Sequence, residues 1–202
     1  ALAICSLAPG DVSRTASAGG EEVAIDVDGD GLVAQVFKTR IDSFVSKMSF
    51  IRVFSGTLKK DSSVQVSRLS KPVKIGQLLS VNGAEQKAVE QAVAGRIVAL
   101  VKMEDLKVSD PLAAASGTEL AAIEFPRPMV GLAVKPKSQA DQTKISGALQ
   151  KIEEEDSTFR VERQPQTKEI VMMGMSELHL QVIEKRMASR DKVEVVTRSP
   201  KI

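Results

Sequence analysis

The stretch that decides the fold of the C-terminal region is Glu169-Ile-Val-Met-Met-Gly-Met-Ser-Glu-Leu-His-Leu180. Its first half, residues 169–173, is a short apolar run with β-branched residues, which is typical of a strand. Ser176 then stands where a helix N-cap is expected, because its hydroxyl can accept a hydrogen bond from a free backbone N–H. The pattern predicts a strand that passes directly into an amphipathic helix over about residues 176–190.

The residues on either side of this stretch complete an alternating pattern. Ser138 and Asp141 form a capping box at the start of a helix with apolar residues at helical spacing. These residues are Ile145, Ala148, Leu149 and Ile152. Further strands are predicted at residues 130–134, 159–162 and 193–196. The order β-α-β-β-α-β predicts a ferredoxin-like α/β domain over residues 125–202, which Phe125-Pro-Arg-Pro128 separates from the preceding region.

Residues 30–124 have a different pattern, in which short strands alternate with turn residues. The predicted strands span residues 32–39, 48–55, 63–68, 73–79 and 96–102. Closely spaced strands rich in β-branched and aromatic residues predict a small antiparallel β-barrel. Before the barrel, residues 1–12 are predicted to end a helix, and residues 13–29 to form an acidic linker rich in serine and glycine.

The composition limits the partners, metal sites and cellular location that can be expected for the chain. With 28 basic and 26 acidic side chains, the 202-residue chain has a formal net charge of +2, which permits an RNA partner without requiring one. Its one cysteine cannot form an internal disulfide, and one cysteine with one histidine cannot assemble a zinc site. No run approaches the roughly 18 apolar residues of a membrane span, and no initiator methionine or basic leader is present. We therefore expect a cytoplasmic fragment without a membrane anchor.

Two patterns that suggest ligand sites are incomplete. Asp26, Asp28 and Asp30 match the first carboxylates of a calcium loop, but Phe37 stands at the twelfth position, where a bidentate glutamate is needed. An acidic turn is the better interpretation. No Gly-x-x-x-x-Gly-Lys-Ser/Thr motif occurs in the chain, so neither a phosphate-binding loop nor a metal or cofactor site is predicted.

The second predicted helix of the C-terminal domain carries a notable face. His179, Val182 and Arg186 share it, because offsets of three, four and seven bring side chains together. This face suits an interface, or simply a partly buried histidine beside a solvated arginine. A catalytic role for His179 with Ser176 is disfavoured, since the hydroxyl serves more simply as the N-cap. The first helix ends at Glu153-Glu-Glu-Asp156, against its dipole, and a solvated acidic end is the preferred interpretation.

Basic side chains of the predicted barrel fall mainly on strand ends and turns. They suit two roles equally well, contact with the phosphates of structured RNA through charge and shape, or solubility of the surface. The residues are Lys47, Arg52, Lys59, Lys60, Arg68, Lys71 and Lys74. An RNA-recognition motif is rejected for the C-terminal domain, because its strands offer only Phe159 for base stacking.

Several of these motifs together resemble a translational GTPase. Motifs similar to those of the third domain of elongation factor G are Phe125-Pro-Arg-Pro128, Glu155-Asp-Ser-Thr-Phe159 and Gly174-Met-Ser-Glu-Leu-His-Leu180. Motifs similar to those of its second, barrel domain are Val36-Phe-Lys-Thr39 and Phe50-Ile-Arg-Val-Phe-Ser-Gly56. The resemblance covers nearly the whole chain and supports the same two-domain fold that the patterns predict.

The resemblance implies a function for each part. Residues 1–29 would contain the tail of a GTPase domain, which in the full-length parent would bind GTP and Mg²⁺. The barrel would contact small-subunit rRNA, and the third domain would lie between its own GTPase domain, that rRNA and ribosomal protein uS12. The positions that match this interface are Ser176, Glu177, His179 and Arg186. The fragment would be monomeric and not an enzyme, while the parent would couple GTP hydrolysis to translocation on the ribosome.

Alternatives remain open within and beyond this family. A ribosome-protection or release-factor GTPase shares the barrel and parts of the third domain. A freestanding RNA- or protein-binding adaptor and an enzyme with a novel site belong to other classes. Ser176 stands where the family usually has glycine and Ser157 where it usually has proline, so an elongation factor G-like paralog is a further alternative to the main translocase.

Overall fold

The computed structural model describes residues 15–18, 21–26, 28–42, 46–115 and 118–201. The chain divides into two compact units, Ala1–Ile123 and Glu124–Ile202. The helix end predicted over residues 1–12 lies outside the described residues. In the described part of the chain, no helix is long and apolar enough to cross a membrane.

The described residues of the first unit form short strands. They are β1 (Thr15–Ala18), β2 (Glu21–Ala24), β3 (Val33–Asp42), β4 (Ser46–Ser55), β5 (Thr57–Lys59), β6 (Ser63–Val64), β7 (Val73–Lys74), β8 (Leu78–Asn82), β9 (Glu85–Val89), β10 (Gln91–Val93), β11 (Ile97–Val101), β12 (Pro111–Ala113) and β13 (Thr118–Leu120). Six of them form one antiparallel sheet in the order β12-β3-β4-β11-β8-β9. The small sheets β10-β5 and β6-β7 complete the barrel, and β13-β1-β2 form a third.

The barrel core follows from the period of its long strands. β3 and β4 have ten residues each, and a β-bulge between Val36 and Lys38 bends their pairing. Alternate residues of both strands face an apolar interior that also receives side chains from the other strands. Its buried members include Ala34, Val36, Ile51, Val53, Leu58, Leu78, Leu100 and Leu112. The predicted antiparallel β-barrel is confirmed.

Several predicted strand boundaries in the barrel are wrong. Residues 63–68 contribute only the two-residue β6, and the run 73–79 is divided between β7 and β8. Gly76, which has no side chain to pack, interrupts that run, and the chain then leaves the β6-β7 pair to join β11. The polar strand β9 was not predicted, because its exposed residues lack the apolar alternation that signals a half-buried strand.

The acidic linker predicted over residues 13–29 is also wrong in part. Within it, β1 and β2 form an antiparallel hairpin, in which Ala16 pairs with Val23. β1 pairs on its other side with β13, where Ala16 is opposite Leu120. β1 and β13 are about a hundred residues apart in the sequence, so local composition could not reveal their pairing.

The second unit has the predicted β-α-β-β-α-β order. Its elements are β14 (Val130–Pro136), α1 (Gln139–Glu155), β15 (Arg160–Arg163), β16 (Ile170–Gly174), α2 (Glu177–Arg186) and β17 (Val195–Arg198). The sheet is antiparallel in the order β15-β16-β14-β17. Both helices pack against the sheet around a core that includes Val134, Leu149, Ile152, Phe159, Met172, Leu180 and Ile183. The ferredoxin-like prediction is confirmed, although the last strand starts two residues later than expected.

Local caps account for the helix boundaries. Ser138 Oγ accepts a hydrogen bond from the backbone N–H of Asp141 at 3.2 Å, which confirms the predicted capping box position. α2 was predicted to extend to about residue 190, but its α-helical part ends at Arg186. A π-helical turn over Met187–Asp191 follows it. Lys192, with φ of 54°, then reverses the chain in the left-handed conformation.

Candidate functional site

His179 is held at both ring nitrogens. Its Nδ1 accepts a hydrogen bond from the backbone N–H of Met175 at 3.2 Å, so Nε2 carries the proton and donates to Asp156 Oδ2 at 3.0 Å. The backbone N–H of His179 donates to Ser176 Oγ at 3.1 Å, which confirms Ser176 as the N-cap of α2. The His179 side chain is 19% exposed. Its polar atoms are therefore engaged within its own domain.

Asp156, the C-cap residue of α1, receives three hydrogen bonds. Oδ1 accepts from the backbone N–H of Thr158 at 2.9 Å and from its hydroxyl at 2.6 Å, while Oδ2 accepts from His179. Burial by itself would raise the pKa of Asp156, but the hydrogen bonds from Thr158 and His179 outweigh it and hold the pKa below its ordinary value. An ionised Asp156 thus ties the end of α1 to the start of α2.

Glu155 anchors the other end of α2. Its side chain is 9% exposed, and Oε2 lies 2.6 Å from Arg190 Nη1 and 3.6 Å from Arg186 Nη1. Burial alone would lower the pKa of Arg190, but Glu155 and Asp191 raise it above its ordinary value. The interpretation of residues 153–156 as a solvated acidic end is therefore wrong. The acidic end of α1 is unfavourable for its own dipole, and the charge is compensated by His179 in the first turn of α2, by Arg186 in its last turn and by Arg190 in the π-helical turn that follows.

The outward face of α2 carries two exposed apolar side chains. Leu178 is 68% and Val182 48% exposed, and their spacing of four residues places them next to each other on the helix. Glu177, in the same first turn, is also exposed. Among the predicted interface residues, Ser176 and His179 build the helix start, whereas Glu177 and Arg186 reach the surface. Leu178 was not among the predicted residues, although an apolar residue on the polar side of a helix is a readable signal.

Two of the predicted RNA-contact residues have structural roles in the barrel. Lys47 is 5% exposed, and its Nζ donates to the carbonyl of Glu104 at 2.9 Å. Arg68 forms a bidentate ion pair with Asp110, with 3.1 Å between Nε and Oδ1 and 2.8 Å between Nη2 and Oδ2. The hydrogen bond that Arg68 donates to Asp110 raises the pKa of Arg68. Lys47 is therefore not part of the candidate RNA-contact surface. Arg68 contributes to this surface only with the 40% of its side chain that is exposed.

Arg52 was predicted to lie at a strand end or turn, but the structure places it elsewhere. It is in the middle of the six-stranded sheet, where its neighbours across the strands are Gln35 and Ile97. Its Nε is buried and has no hydrogen-bond partner among the described residues. Successive side chains of a strand point to opposite faces. Because Ile51 and Val53 face the barrel core, Arg52 between them points away from it.

The remaining candidates converge at one edge of the barrel. Lys59 ends β5 and Lys60 follows it, both exposed. The backbone N–H of Asp61 donates to the carbonyl of Ile75 at 3.0 Å, which brings Lys74 beside this turn. Lys74 Nζ lies 3.1 Å from Asp61 Oδ1, and Lys60 Nζ lies 3.2 Å from Glu90 Oε1. The structure thus groups Lys59, Lys60 and Lys74, with Lys71 exposed in the preceding loop.

The acidic segment before the barrel forms a turn in its described residues. Asp28 donates its backbone N–H to Asp26 Oδ1 at 3.1 Å, and Gly29 donates to the carbonyl of Asp26 at 3.2 Å. Ser55 Oγ closes the turn with a 2.6 Å hydrogen bond to the same carbonyl. Val27 lies outside the described residues. Across the described ranges, no group of three or more His, Cys, Asp or Glu side chains is arranged to hold a metal ion.

Comparison with known proteins gives this two-unit arrangement a class. Residues 32–115 match the family model for elongation factor G domain 2, and residues 125–199 match that for elongation factor G domain III. A β-barrel followed by a ferredoxin-like domain with these matches defines a module of a translation elongation factor. The chain belongs to the elongation factor G family and corresponds to that family's second and third domains.

Individual relatives agree with this assignment. The chain is 36% identical over 198 residues to elongation factor G of Mycoplasma pneumoniae, an alignment that covers 96% of this chain and 29% of that protein. It also resembles a crystal structure of a Thermus thermophilus protein, with a TM-score of 0.78, 31% sequence identity and coverage of 87% of this chain and 26% of the other. The chain therefore spans less than a third of the length of each relative.

Proposed function

We propose that this chain supplies the ribosome-contacting second and third domains of an elongation factor G-type translational GTPase. In the full-length protein, these domains would couple GTP hydrolysis to translocation in the cytoplasm. The observation that carries the proposal is the exposed apolar pair Leu178 and Val182 on a helix whose other side is fastened to α1. A rigid helix with an unpaired apolar face is suited to transmit a contact rather than to perform chemistry.

The third domain would present α2 to its own GTPase domain and to ribosomal protein uS12. Glu177 and Arg186 flank the apolar pair along the helix, so the surface combines a hydrophobic centre with a charged rim. Ser176 and His179 would act indirectly, because they set the position of the helix start through the N-cap and the Asp156 contact. The family resemblance of these positions supports this assignment.

The barrel would contact small-subunit rRNA through the edge that carries Lys59, Lys60 and Lys74. Charge and shape are sufficient for binding to structured RNA, so this contact needs no aromatic stacking group. Two of the three ammonium groups have a carboxylate neighbour, which leaves the edge only moderately positive. We infer a supporting contact that adds to those of other domains, made by a monomeric chain.

The GTPase chemistry would belong to another part of the full-length protein, which would bind GTP and Mg²⁺. The present chain contains no phosphate-binding loop motif. Isothermal titration of this chain with GTP and Mg²⁺ should give no binding heat. Micromolar binding would contradict this division of roles.

Sedimentation of the full-length protein with ribosomes in the presence of a non-hydrolysable GTP analogue tests the proposal. We expect co-sedimentation that depends on the analogue and that is lost when Leu178 and Val182 are both replaced by serine. A matched control is Gln181→Ser, an exposed polar change on the same helix. Failure of the unaltered protein to bind ribosomes would reject the proposed function as a whole.

A further inference from the structure

A groove of about 1060 Å³ lies in the ferredoxin-like domain, and the proposed function makes no use of it. It is lined by α1, by the β15–β16 hairpin and by the end of β14. Ile145 and Leu149 of α1 line it but are almost fully buried in the core, so its accessible apolar surface comes from Val161 and Ile170 of the hairpin. Val161 and Ile170 are only partly buried, so a ligand in the groove would cover them.

The groove is lined by more cations than carboxylates. The cations are Lys135, Arg163, Lys168, Arg198 and Lys201, and the carboxylates are Glu153, Glu162 and Glu169. Among the described residues, the side chains of Lys135, Arg163 and Lys168 line it and form no ion pair. The carboxylate of Glu169 is already engaged, because it accepts hydrogen bonds from Arg198 and from the backbone N–H of Lys201. An unpaired set of cations beside apolar surface favours an anionic ligand with an apolar part.

The backbone along the groove has a free strand edge. β15 is the outermost strand of its sheet, so only β16 pairs with it. The backbone N–H of Val161 points across this edge and makes a long hydrogen bond of 3.4 Å with Glu153 Oε1. Thr167 Oγ1, which also lines the groove, is buried without a hydrogen-bond partner in the described part of the chain. An outermost strand is a template for an added strand, which here would replace the long contact between Val161 and Glu153.

The hairpin that carries two of the cations is held firmly. The backbone N–H of Lys168 donates to the carbonyl of Gln164, and that of Gln164 donates to the carbonyl of Glu169, both at 2.9 Å. Lys168 adopts a left-handed conformation with φ of 57°, so its backbone direction is set by the turn. Arg163 and Lys168 are therefore presented on a preformed loop, which reduces the entropy lost on binding.

We propose that this groove binds an acidic, extended peptide segment that adds as a strand to the edge of β15. Val161 and Arg163 are two positions apart on β15 and so lie on one face of the strand. A peptide whose side chains on that face alternate between apolar and acidic can place an apolar residue beside Val161 and a glutamate or aspartate beside Arg163 and Lys168. A nucleic acid fits less well, since Phe159 is fully buried and no aromatic side chain lines the groove for base stacking. The inference is independent of the proposed ribosome contacts.

Fluorescence anisotropy of the whole chain with a labelled peptide, Glu-Ser-Val-Ser-Glu-Ser-Val-Ser-Glu, whose glutamates and valines share one face of an extended strand, tests this proposal. Peptides with lysine in place of glutamate and a labelled oligouridylate serve as alternative probes. The double variant Arg163→Glu with Lys168→Glu should bind the acidic peptide about tenfold more weakly or worse. The pair Arg163→Lys with Lys168→Arg should keep most of the affinity. A matched control is Lys144→Glu with Lys185→Glu, which reverses two exposed lysines of the same domain outside the groove.

Equal binding of the lysine peptide, or no effect of the Arg163 and Lys168 reversal, would overturn the proposal. Preferential binding of oligouridylate that the reversal abolishes would reassign the groove to RNA. Amide chemical shifts of the unaltered chain provide a second readout that does not depend on the folding of variants. The acidic peptide should shift residues 160–170 and α1, and shifts confined to the barrel would contradict the site.

Discussion

Asp156 at the C-cap of α1 and His179 in the first turn of α2 are joined by a 3.0 Å hydrogen bond between Oδ2 and Nε2. The two residues are 23 positions apart in the chain. Because Met175 donates to the other ring nitrogen, only one neutral form of the imidazole satisfies both contacts. This pair therefore fixes the position of α2, and with it the exposed residues Leu178 and Val182.

Replacement of Asp156 by asparagine should disrupt this arrangement. Asp156 Oδ1 serves Thr158 and Oδ2 serves His179, whereas asparagine has only one oxygen. Its NH₂ group would then face the Nε2–H of His179, so one of the hydrogen bonds must be lost. We expect the free energy of unfolding to fall by about 1–3 kcal/mol, measured by urea denaturation. Nitrogen-15 NMR of the one imidazole should show Nε2–H in the unaltered chain and a different state in the variant.

The matched control is Glu162→Gln, which removes a charge from an exposed strand position of the same domain. This change should alter the unfolding free energy by no more than about 0.5 kcal/mol. Equal stability of the Asp156→Asn variant and the unaltered chain would show that the contact contributes nothing to the domain.

The same carboxylate should make stability depend on pH in the acidic range. The pKa of Asp156 is lowered in the folded chain relative to its ordinary value of 3.8. Its contribution is therefore complete above the pKa of the unfolded chain and is lost as pH falls through the lower, folded pKa. The stability difference between the unaltered chain and Asp156→Asn should shrink as pH falls from about 5 to about 3. A difference that grows over this interval would show the opposite sign of linkage.

Arg68 should contribute to the stability of the barrel. Its guanidinium serves Asp110, which is buried and also accepts the backbone N–H of Lys107 at 2.8 Å. Arg68→Ala leaves that carboxylate without its charged partner, and we expect a loss of about 1–3 kcal/mol because the pair is partly exposed to solvent. Thermal and urea unfolding measure it. Lys71→Ala, a nearby exposed change, should be nearly neutral, and equal effects of the two would refute the assignment.

Charge reversal at Lys59 and Lys60 should weaken binding to small ribosomal subunits. If each lysine neutralises one phosphate, the slope of log affinity against log salt should fall by about 1.4–1.8 for the two. Filter binding at several salt concentrations measures the slope. The control reverses Lys38 and Lys87, two exposed lysines of the same domain outside the candidate edge. An unchanged slope for Lys59→Glu with Lys60→Glu would assign this edge to ordinary solubilising surface.

Replacement of Leu178 and Val182 by serine should leave the folded domain almost unchanged. Both side chains are largely outside the core, so the free energy of unfolding should change by no more than about 0.5 kcal/mol for each. In the full-length protein, the double change should reduce ribosome-stimulated GTP hydrolysis, because the contact that we propose for the apolar face of α2 would be lost. Unaltered stimulated hydrolysis, with normal folding, would exclude this face from the coupling contact.

Features that depend on neighbouring residues were predictable from the sequence. The N-caps Ser138 and Ser176 were identified because a cap bonds a backbone group only two or three positions away. The β-α-β-β-α-β order followed from the change of hydrophobic period along residues 130–196. The buried residues of α1, such as Ile145 and Leu149, followed from helical spacing. These inferences use only short-range geometry, which one sequence contains in full.

Features that depend on distant partners required the tertiary structure. Lys47 looks like a surface lysine until Glu104, 57 positions away, is seen to accept its hydrogen bond. The sequence suggests that Glu155 is solvated, but in the structure it forms an ion pair with Arg190. The sequence likewise suggests that Arg68 is available to bind RNA, but in the structure it forms an ion pair with Asp110. The environment of a charged side chain is set by which strands and helices meet, and this pairing is not contained in local periodicity. The sequence by itself therefore determined the element order of the C-terminal domain, the long strands of the barrel and the family resemblance. Only the packed domains decided which charges hold the fold together and which remain exposed for a partner.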